Sequence, residues 1–594
     1  MTSLSVQRNR IRFRWVRLFA VISSSTQFTG IIVASDELKT CEHVPNVSPR
    51  ETELTDWGTP DSGIEIGSLR LVILTILLAA SAIVLSEYPE HFGRLGPDST
   101  QYLVGAISIL NDAEYSTRIL YFDEHYSYGA VPAPQTVWPP GVSFSIAALA
   151  SLGLSPEVGG RILSSSCYVA LAVFTGLAVW YLTKSVMAML IASVWLLSIS
   201  PVWHYSVQAG SDMVFAATVS AAVLMYVANR CPDGQPYMKT GISFRALAWI
   251  SLIAGVSFLF RYAGVFLIVW AILLIGSEFV YRIRSDSEDH GLLFAKSLGA
   301  ALPSVVIFMS VIGRNLYITG GIRGGNNMIV SGSISDSILN AAKSVAIILT
   351  GVDQTHFFEV SWLRAGIGAG SLAVLFTIGL SSLLWFWNRF VSSRTTEWRF
   401  PTSVMIVLLI IIYVGGIVAI SSRTVVTIDN RYIFPIVPAI VILGVSLWSY
   451  RRSMIIVGIA IISITQILAG NSVIKSHEYR SQQGYAEISE WIKRNTSEEE
   501  PILVIGDSQR IGYYSDRPTL GVPRERYTSH EWNLSRIAGV AGQYGARHVI
   551  ASRTDESHHF NAESSLLMEG NAPNWLTLQV ILDTAYIYRI TENH

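Results

Sequence analysis

Residues 401–421 read Pro401-Thr-Ser-Val-Met-Ile-Val-Leu-Leu-Ile-Ile-Ile-Tyr-Val-Gly-Gly-Ile-Val-Ala-Ile-Ser421, without one charged side chain. A helix of about 20 apolar residues matches the hydrocarbon core of a bilayer, and a backbone in lipid must satisfy its hydrogen bonds internally. A few positions on, Asp429-Asn430-Arg431-Tyr432 opens a second apolar run that reaches 449. Outward from this pair, the same test finds about eleven candidate spans. They lie near 68–86, 159–182, 186–203, 211–229, 244–260, 262–281, 293–317, 361–388, 401–421, 432–449 and 453–471. The whole chain agrees: 594 residues, 51% hydrophobic and only 14% charged, against roughly 25% charged in soluble proteins. The fold class is an α-helical polytopic membrane protein. A net charge of -1 gives no field for nucleic acid. Cys41, Cys167 and Cys231 are far apart and form neither a disulfide framework nor a metal spacing.

Basic residues set the orientation, because short cytoplasmic loops carry an excess of Lys and Arg. With the N-terminus inside, the inner loops hold Lys184; Arg230, Lys239 and Arg245; Arg282 and Arg284; Arg389, Arg394 and Arg399; and Arg451 with Arg452. Residues 1–66, with Arg8, Arg10, Arg12, Arg14 and Arg17, then form a basic cytoplasmic tail, partly disordered. Residues 67–471 form the multi-span domain. Three long segments face outward: 87–158, 319–360 and 472–594. The last alternates short patterns: an amphipathic helix at Tyr485 to Arg494, a strand at Pro501-Ile-Leu-Val-Ile, a helix at Leu534 to Tyr544, a strand at His548-Val-Ile-Ala and a strand pair within 576–590. This predicts a small extracytoplasmic α/β domain. No fixed-period repeat or inverted duplication is present.

Polar residues gather at the outer ends of the spans. Asp98 opens the first outer loop, Asp212 starts the fourth span, Arg161 lies at the mouth of the second, and Arg261 ends the fifth. Arg314 lies near the outer end of the seventh, and Arg431 and Tyr432 start the tenth. Each has a plain reading, the acids as helix caps and the arginines as interfacial anchors. Together they ask for more, since positive charge is scarce on that side. Outer arginines suit an anion, and a lipid-linked phosphate is one.

Four stretches in order carry a family resemblance: Pro97-Asp98-Ser99-x-x-Tyr102; Trp138-Pro139-Pro140-Gly141 with Gly160-Arg161-Ile162-Leu163-Ser164; Ser211-Asp212 opening a span; and Asn430-Arg431-Tyr432-x-x-Pro435-x-x-Pro438. Phe260-Arg261-Tyr262-x-Gly264 is a weaker fifth. This order resembles the GT-C class of glycosyltransferases, in particular bacterial relatives of the protein O-mannosyltransferases and of the lipid A aminoarabinose transferase. The resemblance covers about residues 68 to 450, with the tail as an accessory. It implies a polyprenyl-phosphate (dolichyl-phosphate-like) sugar donor, a lipid, glycan or protein acceptor, and an active face outside the cytoplasmic membrane. It also implies Asp98 and Asp212 as catalytic residues, with Tyr102, Arg161, Arg261, Arg431 and Tyr432 around the substrate. Protein O-mannosyltransferases usually show two adjacent acids in the first loop. Here Ser99 follows Asp98 and an adjacent pair, Asp123-Glu124, comes later, so the identity of the loop acid stays open.

The chemistry is economical. A phosphate leaves without protonation, helped by a cation; the acceptor hydroxyl needs a base, which a carboxylate supplies. Attack opposite the phosphate inverts the anomeric centre. Cofactors stay open, a divalent Mg or Mn among them, and no residue is assigned to a metal. Gly506-Asp507-Ser508 with Asp555-x-x-His558 imitates fragments of a serine hydrolase, Asp353 and His356 sit in a long loop, His558-His559 lacks metal partners, and Gly320 to Gly325 lacks a nucleotide-site setting. All read better as loop residues. The alternative function is a multi-span transporter or lipid flippase, which would place ionisable groups near mid-membrane.

Overall fold

The computed structural model describes residues 66–91, 95–120, 130–231, 241–285, 289–322, 333–350, 402–424, 428–448, 479–523, 532–553 and 562–591. The basic N-terminal tail, the spans expected at 361–388 and 453–471, and Asp123-Glu124, Asp353, His356, Asp555, His558 and His559 lie outside them.

The bundle runs α1 Ile66–His91, α2 Pro97–Asp112, α3 Gly141–Ser151, α4 Pro156–Thr183, α5 Val186–Ser198, α6 Ser200–Ser206, α7 Ser211–Arg230, α8 Phe244–Phe260, α9 Val265–Ser285, α10 His290–Thr319, α11 Ile334–Thr350, α12 Thr402–Ser421, α13 Asn430–Ile433 and α14 Val437–Trp448. Among the described residues, six helices are long and apolar enough to cross a membrane: Ser68–Leu85, Pro156–Thr183, Ser211–Arg230, Tyr262–Arg284, His290–Thr319 and Thr402–Ser421. Three further expected spans fall on shorter apolar helices, Val186–Ser198, Phe244–Phe260 and Asn430–Ser446. Proline shortens two of these runs, because it removes a helix donor and clashes with the preceding turn. The run from Val186 breaks at Ile199 before Pro201, and Pro435 turns Phe434–Ile436 into a 3-10 segment.

Trp195, Trp270, Tyr168, Phe215 and Phe434 fill one core shared by the helices. Leu71, Leu74, Leu78 and Leu85 of α1 and Leu298, Leu302 and Met309 of α10 point outward and stay exposed. Such continuous apolar faces are unfavourable in water and suit lipid.

The tail adds α15 Tyr479–Asn495, α16 Ser508–Ser515, α17 Leu534–Tyr544 and α18 Ala562–Met568. Its sheet is not built from the tail alone. With β1 Ser116–Thr117, β2 Ile119–Leu120, β3 Ala133–Pro134, β4 Ile502–Ile505, β5 Thr519–Val522, β6 His548–Ser552, β7 Leu576–Leu582 and β8 Ala585–Ile590, the six-stranded order is β2-β5-β4-β6-β8-β7. The first four strands run parallel, and β8 runs antiparallel to both its neighbours, β6 and β7. The edge strand β2 comes from the loop after α2, with Ile119 opposite Thr519 and Leu120 opposite Leu520. After β4 the chain turns at Gly506, whose φ of +122° is cheap only for glycine. Asp507 then caps α16, accepting from the Arg510 backbone N–H at 3.1 Å, and Ser508 is buried behind it. The Gly506-Asp507-Ser508 motif is thus a strand-to-helix turn.

Candidate active site

Four charged side chains meet where helix ends converge. Asp98 lies in the first turn of α2 behind Pro97, whose locked φ and missing N–H suit a helix start. Asp212 lies in the first turn of α7. Free N–H groups and the partial positive charge of a helix N-terminus favour a carboxylate at both places. Arg261 is the residue at which α8 ends; its backbone is extended, φ -154° and ψ 133°, before the short turn Tyr262–Gly264. A helix C-terminus favours a cation in the same way. Arg431 is in the first turn of α13, where the Asp429 carboxylate accepts from its backbone N–H at 2.9 Å.

Arg431 bridges the two acids. Its Nη2 binds Asp98 Oδ2, its Nε lies 3.4 Å from Asp212 Oδ1, and Arg261 Nη1 contacts that same Asp212 oxygen. Two guanidinium groups and two carboxylates cancel, which offsets the cost of removing them from water. The side chains of Asp98 and Arg431 keep 28% and 32% of their exposure, those of Asp212 and Arg261 only 11% and 10%. The network therefore has a more exposed half, Asp98 and Arg431, and a more buried half, Asp212 and Arg261. Arg261, expected to contact a donor, is turned onto Asp212.

Two tyrosines line the network. The Tyr432 ring lies 5.4 Å from the Arg261 guanidinium and 5.9 Å from that of Arg431, contacts in which a cation faces π-electron density. Its backbone carbonyl accepts from the Tyr413 hydroxyl at 2.9 Å. Tyr102 is buried, and burial first and the Asp98 charge second push its phenol up to about 12.

The other sequence motifs brace this cluster. Gly160 lets α4 approach the segment before Asp212, since a Cβ there would fall 2.5 Å from the Ala209 Cβ. Ser165 donates to the Ser206 carbonyl at 2.9 Å. Arg161 is buried in α4, one turn beyond Glu157. In the Trp138-Pro139-Pro140 stretch, the Trp138 and Pro139 carbonyls accept from the Tyr115 hydroxyl at 2.9 and 3.2 Å. Tyr262 donates to Thr136 O at 2.6 Å. Arg314 donates to the Gln135 and Tyr115 carbonyls at 2.9 and 3.3 Å, which makes it a strut for the loop.

The tail contacts were missed by sequence reasoning. Arg510 Nε donates to the Leu95 carbonyl at 2.7 Å, and the Tyr513 hydroxyl donates to Glu157 Oε1 at 2.9 Å. The short apolar run Ile119-Leu120-Tyr121-Phe122 was the available signal for the strand that joins loop to tail. At the other end of α7, Glu278 is buried between Arg282 at 3.0 Å and Arg230 at 3.8 Å, a closed ion group that staples α7 to α9. Among the described residues no three His, Cys, Asp or Glu side chains come together as a metal site, and both carboxylates of the cluster face guanidinium groups.

No protein-family model matches the sequence, and no curated protein matches it either. Solved structures do. ArnT from Cupriavidus metallidurans bound to undecaprenyl phosphate superposes with a TM-score of 0.53 at 14% identity, over 89% of this chain and 98% of that one. Its apo form gives 0.54 at 13% identity, over 88% and 98%. The oligosaccharyltransferase AglB from Archaeoglobus fulgidus, in complex with an inhibitory peptide and a dolichol-phosphate, gives 0.50 at 13% identity, over 82% of this chain and 70% of that one. These neighbours are glycosyltransferases of the GT-C class, and at such identities the likeness is one of fold.

Proposed function

We propose that this chain is a membrane glycosyltransferase that moves a sugar from a polyprenyl-phosphate donor to an acceptor hydroxyl on the extracytoplasmic face. The observation that carries the reading is the meeting of Asp98, Asp212, Arg261 and Arg431 in one network with an exposed half. The neighbours add support, since ArnT was solved with undecaprenyl phosphate and AglB with a dolichol-phosphate, both lipid phosphates.

In this reading the acceptor oxygen attacks the anomeric carbon, the bond from that carbon to the phosphate oxygen breaks, and the lipid phosphate leaves with the electron pair. Arg431 stabilises the leaving charge through two guanidinium N–H groups, which fit a phosphate better than a point charge does. Asp98, released from Arg431 as the phosphate takes its place, accepts the acceptor's proton. Asp212 and Arg261 hold Arg431 in position. Attack on the face opposite the phosphate inverts the anomeric centre. The meeting of Asp98, Asp212, Arg261 and Arg431 at one set of helix ends supports this over a transporter, whose ionisable groups would lie along a path through the bundle.

The test compares glycolipid and glycoprotein profiles of cells with the intact chain, with the Asp98→Asn variant and without the chain. One sugar should be missing from one acceptor class in the last two. Identical profiles in all three would overturn the proposal.

A further inference from the structure

The Asp98 turn is held from outside the bundle. Leu95, buried three residues before Asp98, offers its carbonyl to Arg510 Nε at 2.7 Å. The same guanidinium pairs through Nη1 with Asp507 Oδ2 at 3.1 Å, lies 3.4 Å from the Tyr485 hydroxyl and packs on the Tyr485 ring at 5.3 Å. Tyr485 in turn donates to Asp507 Oδ2 at 3.2 Å. Arg510 is therefore fixed on both sides by the tail and aims one N–H at the backbone that enters α2. The far end of the same segment is held too: Thr519 N donates to Arg118 O at 2.8 Å, and Ile119–Leu120 completes the tail sheet. Between these two grips, Tyr513 and Tyr514 pack on the cluster of Leu95, Tyr102, Leu103 and Ala106.

We infer that Arg510 is a positioning residue for Asp98, and that the tail sheet acts as the mould in which the 95–120 segment takes its working shape. The inference rests on the proposed role of Asp98 as base. Among the described residues Asp98 touches Arg431, and Arg510 reaches its turn through the Leu95 carbonyl, so Arg510 acts on direction and rigidity and contacts no reacting atom. A guanidinium has the planar fork to serve Leu95 and Asp507 together, and a lysine ammonium lacks it. Loss of a charge-assisted hydrogen bond of this type corresponds to about 10–100-fold in a local equilibrium.

The experiment uses the full chain in detergent, comparing wild type with Arg510→Ala and Arg510→Lys. Amide hydrogen exchange is read over residues 96–102 and over the tail strands 502–505 and 548–552, beside kcat and donor KM with a polyprenyl-phosphate sugar. Exchange at 96–102 should quicken about 10–100-fold in Arg510→Ala, with the tail strands as protected as in wild type. The Arg510→Lys variant should recover only part, and kcat should fall while donor KM stays within about twofold. Unchanged exchange at 96–102, or equal loss of protection in the tail strands, would overturn the inference. So would a rise in donor KM at constant kcat. Exchange needs no turnover, so a wild-type chain that transfers no sugar would defeat the glycosyltransferase reading while the grip on the turn is still decided.

Discussion

Arg431 and Asp98, 333 positions apart in the sequence, are joined Nη2 to Oδ2 where α13 and α2 begin. Each is the more exposed member of its side of the network, so this is the contact that an incoming anion would open.

Asp98→Asn should leave insertion and folding intact, because the amide keeps the volume at a part-exposed helix start. Transfer should fall by roughly 10²–10⁴-fold, the usual contribution of a positioned base. Turnover of the purified variant measures it. Near-normal rates would move the base to Asp123 or Glu124.

Arg431→Lys keeps the charge but loses the fork that reaches Asp98 and Asp212 together. Transition-state stabilisation should drop by about 1–3 kcal/mol, read from kcat/KM for the donor. If both Arg431→Lys and Arg431→Ala match the wild type, Arg431 is an interfacial anchor and the phosphate belongs elsewhere.

Asp212→Asn should cost stability as well as activity, since it strands a buried Arg261. Breaking a buried pair from one side costs about 3–5 kcal/mol. Adding Arg261→Gln should restore part of the thermal stability without restoring transfer. A variant as stable as wild type would mean that the Asp212–Arg261 contact contributes nothing to the fold.

Tyr102 gives a signed pH effect. Burial, then the Asp98 charge, raises its phenol from 10.0 to about 12, so the folded state holds that proton more tightly than the unfolded state. The stability this confers is full below pH 10 and is lost as pH rises from 10 to 12, on the order of 1–3 kcal/mol. Tyr102→Phe should flatten that part of the stability–pH curve. Superimposable curves for the two proteins would contradict the assignment.

The orientation is testable at Glu498, an exposed tail position. Glu498→Cys should react with a membrane-impermeant thiol reagent in intact cells. Reaction only after lysis would put the tail, and with it the Asp98 end of the bundle, in the cytoplasm.

What the sequence determined by itself is local in origin. Apolar runs such as 402–421 and 211–230 become helices because length and composition settle how a segment meets lipid. Strands at Ile502–Ile505 and His548–Ser552 follow short β-branched runs between turns. Asp98, Asp212, Arg261 and Arg431 were legible as candidates because charge at span ends is scarce and costly. Their pairing was not, and neither was the assignment of Arg314 to two loop carbonyls, of Arg261 to Asp212, of Arg510 to Leu95 or of Ile119–Leu120 to the tail sheet. Such contacts join positions tens to hundreds of residues apart. Pattern and spacing report only a residue's own helix or strand, whereas which helix ends meet depends on how the packed core brings them together.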